Sequence, residues 1–261
     1  MAELIEVSAA RGGRRVLHEV TLAAPAGCVT VIAGPNGSGK TTALALMAGD
    51  LRPSTGRVLL GDAPIEGLSA AVRALRRAVM PQHFNLVFAF TVREVVEMGL
   101  LPALPARRRA PVVEEALALA DVAAMAERPV TQLSGGERQR VSFARATAQV
   151  LSAQAVAPDA PATLFLDEPT ASLDLAHQAA VVRAAHRLAA DGVRVVMVMH
   201  DLTLIDAAAD HLVLLKEGQV AAAGAPRAVL DEPTIRSVYA ASVAVIEDAD
   251  ARAVALTALR P

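Results

Sequence analysis

The sequence contains few aromatic residues, one cysteine and no excess of basic charge. Its 261 residues include no Trp, one Tyr and five Phe, and 25 Lys and Arg stand against 27 Asp and Glu. A formal net charge of -2 argues against a nucleic-acid partner, because such surfaces normally carry a basic excess. The single cysteine, Cys28, excludes an intrachain disulfide and fits a reducing compartment.

The sequence also lacks an uninterrupted apolar run that could cross a membrane, although 54% of its residues are hydrophobic. Its longest uncharged stretch, residues 20–39, is broken by prolines and glycines that an ordinary spanning helix would not carry. Glu3 and Glu6 stand where a signal peptide needs a basic end and an apolar stretch, so we expect none. The composition predicts a soluble, cytoplasmic protein of one compact domain or two modest ones.

Apolar runs bounded by turn residues alternate with longer helical patterns, which is typical of a mostly parallel sheet covered by helices. The predicted central strands are Val29–Ala33, Ala78–Met80, Thr163–Leu166, Val193–Met199 and His211–Leu215, and the main predicted helices are Thr41–Ala48, Gly135–Leu151 and Leu175–Ala190. Leu4–Ala9, Val16–Leu22 and Val58–Leu60 are expected to form a small antiparallel sheet. The sequence therefore predicts an α/β fold with an N-terminal antiparallel β subdomain.

The strand signal disappears between Gln82 and Gln139, which predicts a helical subdomain inserted at about residues 83–140. Helices are expected at Val92–Leu100 and Val112–Ala120, and the basic run Arg107–Arg109 between them is expected to be a solvated loop. Near the end of the chain, Asp248–Asp250 suggests the turn of a small hairpin.

A glycine-rich segment reading Gly-Pro-Asn-Gly-Ser-Gly-Lys-Thr follows the apolar run Val29–Ala33 and opens a helical pattern. This is the G-x-x-x-x-G-K-[ST] spacing in its strand-loop-helix context. Glycines let backbone N–H groups face inward around phosphate oxygens, and the helix N-terminus favours the same anion. Lys40 would reach the β- and γ-phosphates, and the Thr41 hydroxyl would reach Mg²⁺. The predicted nucleotide-binding residues here are Gly34, Pro35, Asn36, Gly37, Ser38, Gly39, Lys40, Thr41 and Thr42.

Two adjacent acids, Asp167 and Glu168, come directly after the apolar run Thr163–Leu166. In an open parallel sheet, ligands bind beyond the carboxyl ends of the strands. Asp167 could hold Mg²⁺, and Glu168 could accept a proton from an attacking water. The alternative is a polar turn after a strand, which the upstream phosphate loop makes the weaker interpretation.

Ser134 and Glu137 have the spacing of a capping box at the start of the helix predicted over Gly135–Leu151. Capping leaves Gly135 and Gly136 unexplained, because glycine destabilises a helix by about 1 kcal/mol relative to alanine. Bare backbone at a helix N-terminus would let an anion approach closely. These residues therefore predict a second phosphate-contacting surface.

Taken in order, these motifs resemble the ATP-binding subunits of ABC transporters. The resemblance rests on Gly34–Thr41, Gln82, Leu133–Gln139, Leu164–Glu168, Ser172–Asp174 and His200, and extends from about Leu4 to Tyr239. It implies a P-loop NTPase core in an ATPase domain at residues 1–240, followed by a short C-terminal extension at residues 241–261. It also implies a homodimer arranged head to tail, with each ATP held between one phosphate loop and the opposite Ser134–Gly136.

The resemblance also implies roles for single residues. Gln82 would contact Mg²⁺ and the attacking water and sense the transporter, Asp174 would contact the opposing subunit, and His200 would contact the γ-phosphate or the water. The implied catalytic residues are Glu168, His200 and Gln82, and the implied Mg²⁺ ligands are Thr41, Gln82 and Asp167. Family members usually place an aromatic residue on adenine where this chain has Arg11. A guanidinium plane can also stack on a base, and a solvated loop residue is the alternative.

Within the family, Met80–His83 and Phe90–Gly99 are similar to importers of iron chelates, cobalamin and haemin. A long connection at Val150–Ala162 is similar to the haemin importer ATPases. The implied function is ATP-driven haemin uptake through a membrane permease dimer, served indirectly by a periplasmic or surface binding protein. The subunit would be peripheral, at the cytoplasmic face of the inner membrane.

Three alternatives stay open beside haemin import. The first is the ATPase of a ferric-siderophore or cobalamin importer. The second is a soluble ABC ATPase, which usually carries a long coiled coil or tandem nucleotide domains. The third is an ATP-binding switch without turnover, against which Glu168 and His200 argue. Phe84, Phe88 and Phe90 fall within His83–Thr91, which predicts a permease contact there unless these rings fill the helical subdomain's own core.

Overall fold

The computed structural model describes residues 1–82, 88–241, 243–247 and 252–256. Its strands are β1 (Ala2–Arg11), β2 (Arg14–Ala24), β3 (Val29–Ala33), β4 (Thr55–Leu60), β5 (Ala63–Pro64), β6 (Arg77–Met80), β7 (Thr163–Asp167), β8 (Arg194–Val198), β9 (His211–Lys216), β10 (Gln219–Gly224), β11 (Val243–Glu247) and β12 (Arg252–Leu256). Its α-helices are α1 (Lys40–Ala48), α2 (Ala70–Arg76), α3 (Val92–Glu97), α4 (Ala106–Leu119), α5 (Gly135–Val156), α6 (Leu175–Ala190), α7 (Leu202–Ala208), α8 (Pro226–Val229) and α9 (Glu232–Tyr239).

A six-stranded sheet forms the centre of the fold, in the order β10-β9-β3-β8-β7-β6. Its strands run parallel except β10, which pairs antiparallel at the edge. Every residue of β3, β7 and β8 is buried, as expected for strands covered on both faces. The mostly parallel sheet predicted from the sequence is confirmed.

Alternate side chains of the central strands enter two separate hydrophobic clusters. Val31 packs on the face covered by α5 and α6, whereas its neighbour Ile32 packs on the face covered by α1. A strand presents successive side chains to opposite faces, so continuous apolar runs are needed to fill both layers. This two-sided burial fixes the ends of β3, β7 and β8 at one edge of the sheet.

The predicted antiparallel sheet is also confirmed, in the order β2-β1-β4-β5. Gly12 and Gly13 form the turn between β1 and β2 with φ of +58° and +79°, a backbone conformation that favours glycine. The inner face of this sheet packs on α1, where Leu46 and Met47 are fully buried. Helix α1 therefore lies between the two sheets.

Between β6 and β7 the described residues form helices and loops, with one isolated bridge between Thr91 and Pro129. The predicted loop at Arg107–Arg109 is wrong, because these residues lie in the first turns of α4. They are exposed, while Val112, Val113, Ala116 and Leu117 form the buried stripe of that helix. The arginines therefore occupy the solvated face of an amphipathic helix.

The long connection predicted at Val150–Ala162 is partly helical, because α5 continues to Val156. Buried Val150 and Ala153 continue the apolar face of α5 at helical spacing, which keeps this end of the helix packed. The expected C-terminal hairpin is present as β11 paired antiparallel with β12, and its predicted turn Asp248–Asp250 lies outside the described residues. Among the helices described, none has the length and apolar character needed to cross a bilayer.

Candidate functional site

The loop that joins β3 to α1 has a shape that only glycine permits at two positions. Gly34 and Gly39 have φ of +144° and +103°. A Cβ at Gly34 would lie 2.0 Å from the carbonyl oxygen of Leu215 in β9, and one at Gly39 would lie 2.5 Å from the Leu17 side chain. Glycine therefore lets the loop pack tightly against β9 and β2 before α1 begins.

Lys40 is held inside this loop rather than extended into solvent. Its side chain is 5% exposed, and Nζ donates to the carbonyl oxygens of Gly34 and Pro35 at 2.9 Å each. Burial lowers the pKa of Lys40, and the nearby carboxylates of Glu168 and Asp167 oppose that shift. The ammonium is thus desolvated, so a hydrogen bond from it to an anion would be charge-assisted and strong.

The Ser38 hydroxyl lies in the phosphate loop with its hydrogen-bonding capacity unused by the described part of the chain. It is buried and has no hydrogen-bond partner among the described residues. Buried hydroxyls in folded proteins are nearly always hydrogen-bonded, and a ligand in the loop would supply the partner that Ser38 lacks. A phosphate oxygen fits that position, because it accepts hydrogen bonds from the hydroxyl and from the surrounding backbone amides.

Thr41 and Asp167 come together at the ends of two different elements. Thr41 Oγ1, at the start of α1, donates to Asp167 Oδ1 at the end of β7 at 3.3 Å. Burial raises the pKa of Asp167, and the bond from Thr41 opposes the shift. Gln82 follows β6, the next strand of the sheet. The hydroxyl, carboxylate and amide oxygens of these side chains form a hard donor set that suits Mg²⁺.

Glu168 and His200 meet where the neighbouring strands β7 and β8 end. The Nε2 of His200 donates to a carboxylate oxygen of Glu168. Glu168 has a φ of +52°, which is uncommon for a residue with a side chain, and its amide donates to the Val198 carbonyl oxygen at 3.1 Å. The backbone is therefore turned sharply at the residue whose carboxylate faces His200.

A cavity of about 1200 Å³ connects these groups. Its wall includes the phosphate loop from Pro35 to Thr42, together with Gln82, Glu168 and His200. Arg11, beside the turn between β1 and β2, lines the same cavity and is exposed. The structure thus brings together the sequence-predicted residues from five segments of the chain.

Tyr239 is a cavity-lining residue that the sequence did not reveal as part of the site. Tyr239 is the last residue of α9 and lines the cavity. Burial raises the pKa of its hydroxyl to about 12, and the Gly34 backbone partly opposes this shift. The only feature of the sequence that set Tyr239 apart was that it is the chain's single tyrosine. No local pattern links α9 to a loop about two hundred residues earlier.

The predicted capping box at the start of α5 is present. The Glu137 amide donates to Ser134 Oγ at 3.2 Å, and the Ser134 amide donates to Glu137 Oε2 at 2.7 Å. The bond from the Ser134 amide is the main reason that the pKa of Glu137 is lowered. Ser134 itself is exposed, and neither it nor Gly135 or Gly136 lines the described wall of the cavity.

The two glycines of α5 have different surroundings. A Cβ at Gly135 would meet nothing within 4 Å, whereas one at Gly136 would lie 2.9 Å from the Ser172 carbonyl oxygen. The interpretation that both glycines leave backbone bare for an anion is thus incomplete, because packing within the chain already requires Gly136. Gly135 remains open on the outer side.

Asp174 caps α6 rather than reaching the cavity. Its Oδ1 accepts from the His177 amide at 2.9 Å and lies 2.7 Å from His177 Nδ1. The hydrogen bond from the His177 amide is the main reason that the pKa of Asp174 is lowered. Together with Ser134–Gly136, this residue lies apart from the cavity of its own chain.

Gln139 lies within the Leu133–Gln139 motif, but the sequence assigned it no role of its own. Its Nε2 donates to the backbone carbonyl oxygen of Glu168 at 2.7 Å. Gln139 stands three residues after Gly136, so both lie on the face of α5 that touches the loop after β7. Helical spacing was enough to place Gly136 and Gln139 on one face of α5. It could not identify the loop that this face contacts.

Comparison with known proteins gives consistent matches. A family model described as ABC transporter matches residues 17–171. The hemin import ATP-binding protein HmuV of Rhizobium meliloti (strain 1021) is 42% identical over 240 residues, covering 92% of this chain and 91% of that protein. HmuV of Rhodococcus jostii (strain RHA1) is 45% identical over 244 residues, covering 92% of this chain and 80% of that protein.

Solved structures with the same fold include ABC cassettes. The bacterial ABC transporter cassette MJ0796, in its dimeric structure, has a TM-score of 0.73 and 28% identity over 87% of this chain and 99% of that one. A dimeric post-hydrolysis state of MJ0796 is bound to ADP and Pi. CbiO1 from Clostridium perfringens, part of the ABC transporter complex cbiONQ, has a TM-score of 0.75 and 26% identity over 92% of this chain and 94% of that one.

The different surroundings of the two glycines predict opposite effects of adding a methyl group. Gly136→Ala should lower the free energy of unfolding by about 1–3 kcal/mol, because the methyl group presses on the backbone at Ser172. Gly135→Ala should leave it unchanged or raise it, since the position is open and alanine favours helix. Chemical denaturation of the nucleotide-free protein measures both, and equal stabilities for the two variants would contradict the packing described for Gly136.

Proposed function

The chain belongs to the ABC transporter family, and from this premise we propose that it is the ATP-hydrolysing subunit of an importer that takes up haemin through a membrane permease. The cavity shared by the phosphate loop, Gln82, Glu168 and His200 is the observation that carries ATP hydrolysis. The cargo rests on the similarity to hemin import ATP-binding proteins along 92% of the chain. The subunit would act at the cytoplasmic face of the inner membrane.

The phosphate loop would bind the β- and γ-phosphates of ATP. Backbone amides of residues 35–41 and the N-terminus of α1 would face the phosphate oxygens, and the Ser38 hydroxyl would gain the partner that it lacks. Lys40, already desolvated, would exchange its loop carbonyls for phosphate oxygens and so form charge-assisted hydrogen bonds. Arg11 would lie against the base, where its guanidinium plane can stack.

Thr41, Gln82 and Asp167 would hold Mg²⁺ beside these phosphates. The oxygen donors and the short separation between Thr41 and Asp167 support this assignment. Mg²⁺ bound there would neutralise charge on the β- and γ-phosphates.

Glu168 would act as the general base of hydrolysis. As a water oxygen forms a bond to the γ-phosphorus, Glu168 takes a proton from that water, and the bond to the oxygen bridging the β- and γ-phosphorus breaks, leaving ADP and phosphate. His200, whose Nε2 donates to that carboxylate, would fix its direction toward the water. Gln82, in the wall of the cavity, would contact the same water.

A homodimer would complete each site. Ser134, Gly135 and Asp174 are exposed, Gly136 is half-buried, and none of them lines the cavity of its own chain. In this proposal they would face nucleotide bound to a second copy. The dimeric structure of the MJ0796 cassette supports this arrangement. In the same proposal residues 1–240 form the ATPase domain, with a helical subdomain at about 83–140, and residues 241–261 form a short C-terminal extension.

The permease would contact residues 83–91. Phe88 is 70% exposed, and its ring meets that of Phe90 edge-on at 6.1 Å, while Phe90 packs partly on the hydrophobic core. Phe84 and the other residues at 83–87 lie outside the described part of the chain. Because Phe88 follows Gln82 closely, a partner bound here could move Gln82 at the γ-phosphate. A periplasmic or surface binding protein would act indirectly, through the permease.

The chemistry predicts a clear phenotype for Glu168→Gln. This variant should bind ATP normally and form an ATP-stabilised dimer, while turnover falls by about 10²- to 10⁴-fold, the usual contribution of a general base. Steady-state phosphate release and size-exclusion chromatography with ATP measure the two effects. Lys40→Ala serves as the contrast, because it should lose nucleotide affinity instead, and near-normal turnover in Glu168→Gln would refute the role of this carboxylate.

Ser134→Arg separates a capping role from a role in the dimer. In the Glu168→Gln background, the proposal predicts that Ser134→Arg still binds ATP as a monomer but does not dimerise. Ser69→Arg is a matched control, because Ser69 caps α2 in the same way and accepts from the Val72 amide at 3.3 Å. Both variants should lose about 1 kcal/mol of monomer stability. Dimerisation of Ser134→Arg with ATP would show that capping is the whole role.

Transport itself tests the cargo and the permease contact. When the chain is co-purified with its permease and reconstituted into vesicles, haemin uptake should require ATP and should exceed uptake of a ferric siderophore or cobalamin. Phe88→Ala should weaken co-purification and uptake while the stability of the isolated subunit stays unchanged, because its ring is exposed.

Phe90→Ala is the control for that result, because its half-buried ring packs on the core and its loss should lower stability. Preferred uptake of a ferric siderophore or of cobalamin would replace the proposed cargo. A marked loss of stability in Phe88→Ala would instead show that Phe88 belongs to the core.

A further inference from the structure

Helix α5 contacts the catalytic segment of its own chain one turn after its exposed N-terminus. Ser134 and Gly135, at that terminus, face away from the chain, whereas Gln139 is half-buried. Its Nε2 donates to the Glu168 carbonyl oxygen at 2.7 Å. One helix therefore carries both the surface proposed to meet a second nucleotide and a side chain bonded to the proposed base.

The backbone of Glu168 needs support from its surroundings. Its φ of +52° lies in the left-handed region, where a side chain is strained unless neighbouring groups hold the conformation. Three bonds do so: its amide donates to the Val198 carbonyl oxygen at 3.1 Å, and its carbonyl oxygen accepts from the Ala171 amide at 3.2 Å and from Gln139. The bond from Gln139 is the one that reaches Glu168 from α5.

A second close contact joins α5 to the loop after β7. The first turn of α5 approaches this loop so closely that a Cβ at Gly136 would lie 2.9 Å from the Ser172 carbonyl oxygen. Gly136 and Gln139 are three residues apart and thus on one face of the helix. A displacement at the N-terminus of α5 would therefore be transmitted to residues 168–172.

We propose that Gln139 is a positioning residue for ATP hydrolysis: it holds the backbone of Glu168 in its left-handed conformation and so aims the carboxylate at the water. Through the same bond, contact of Ser134–Gly136 with the second nucleotide orients the base at the chain's own nucleotide. The inference rests on the proposed function, with Glu168 as the base. The competing explanation is that Gln139 only anchors α5 to the sheet.

Gln139→Met in the full-length chain tests this, because methionine keeps the length of the side chain and removes the donor. Loss of one neutral hydrogen bond should lower kcat for ATP hydrolysis about fivefold, with KM for ATP and nucleotide affinity unchanged. Gln139→Lys, which restores a donor, should recover most of the rate. In the Glu168→Gln background, Gln139→Met should cause no further loss in single-turnover hydrolysis, because its effect acts through that carboxylate.

Gln149→Met is the matched control. Gln149 also lies on α5 and donates to the backbone, to the Ala74 and Arg77 carbonyl oxygens at 3.2 and 2.9 Å, away from the cavity wall. It should lower stability and leave kcat unchanged. If Gln139→Met fails to fold, Gln139→Leu, which also removes the donor without adding charge, provides the same comparison.

An unchanged kcat in Gln139→Met, or a loss of stability like that of Gln149→Met with no recovery by lysine, would overturn the inference while leaving the proposed function intact. A multiplicative loss in the Glu168→Gln background would also overturn it, because Gln139 would then act on something other than the base. If the wild-type dimer did not hydrolyse ATP, the proposed function would fail first and this inference with it.

Discussion

Two opposite charges, Lys40 and Asp167, lie buried together at the carboxyl edge of the central sheet, and the arrangement of the site follows from how each is compensated. The ammonium is bonded to two loop carbonyls, and the carboxylate is bonded to Thr41. Burial lowers the pKa of Lys40 and raises that of Asp167, so it favours the neutral form of each group. Such charges are tolerated only where hydrogen-bonding partners are fixed in place. The fully buried strands β3 and β7 provide that fixed framework, since each ends at one side of the pair.

The parts of the fold that depend on local pattern could be predicted from the sequence. The continuous apolar run gave β3 its correct bounds, and the amphipathic pattern placed α6 at Leu175–Ala190. The phosphate loop and the acids after β7 were also found, because each motif is defined by residues close together in sequence. The loop predicted at Arg107–Arg109 was wrong because charge alone does not distinguish a loop from the solvated face of a helix.

The parts that depend on distant contacts could not be predicted. Gly136 is a glycine because a backbone carbonyl 36 residues later approaches it, and no pattern around it contains that carbonyl. Gln139 and Tyr239 reach the site only after the sheet has brought α5 and α9 to its edge. Local patterns thus identified the motifs, but not the contacts that Gln139 and Tyr239 make at the site.

Tyr239 is an intrinsic fluorescent probe of the cavity. The chain has no tryptophan and one tyrosine, and that ring lies in the wall of the cavity beside the phosphate loop. Tyrosine emission of the folded chain therefore originates at a single place, next to where phosphates would lie. Changes in brightness or quenching report on that wall without any attached dye, and emission from a transport complex can be assigned to this subunit when the partner contributes no fluorophore of its own.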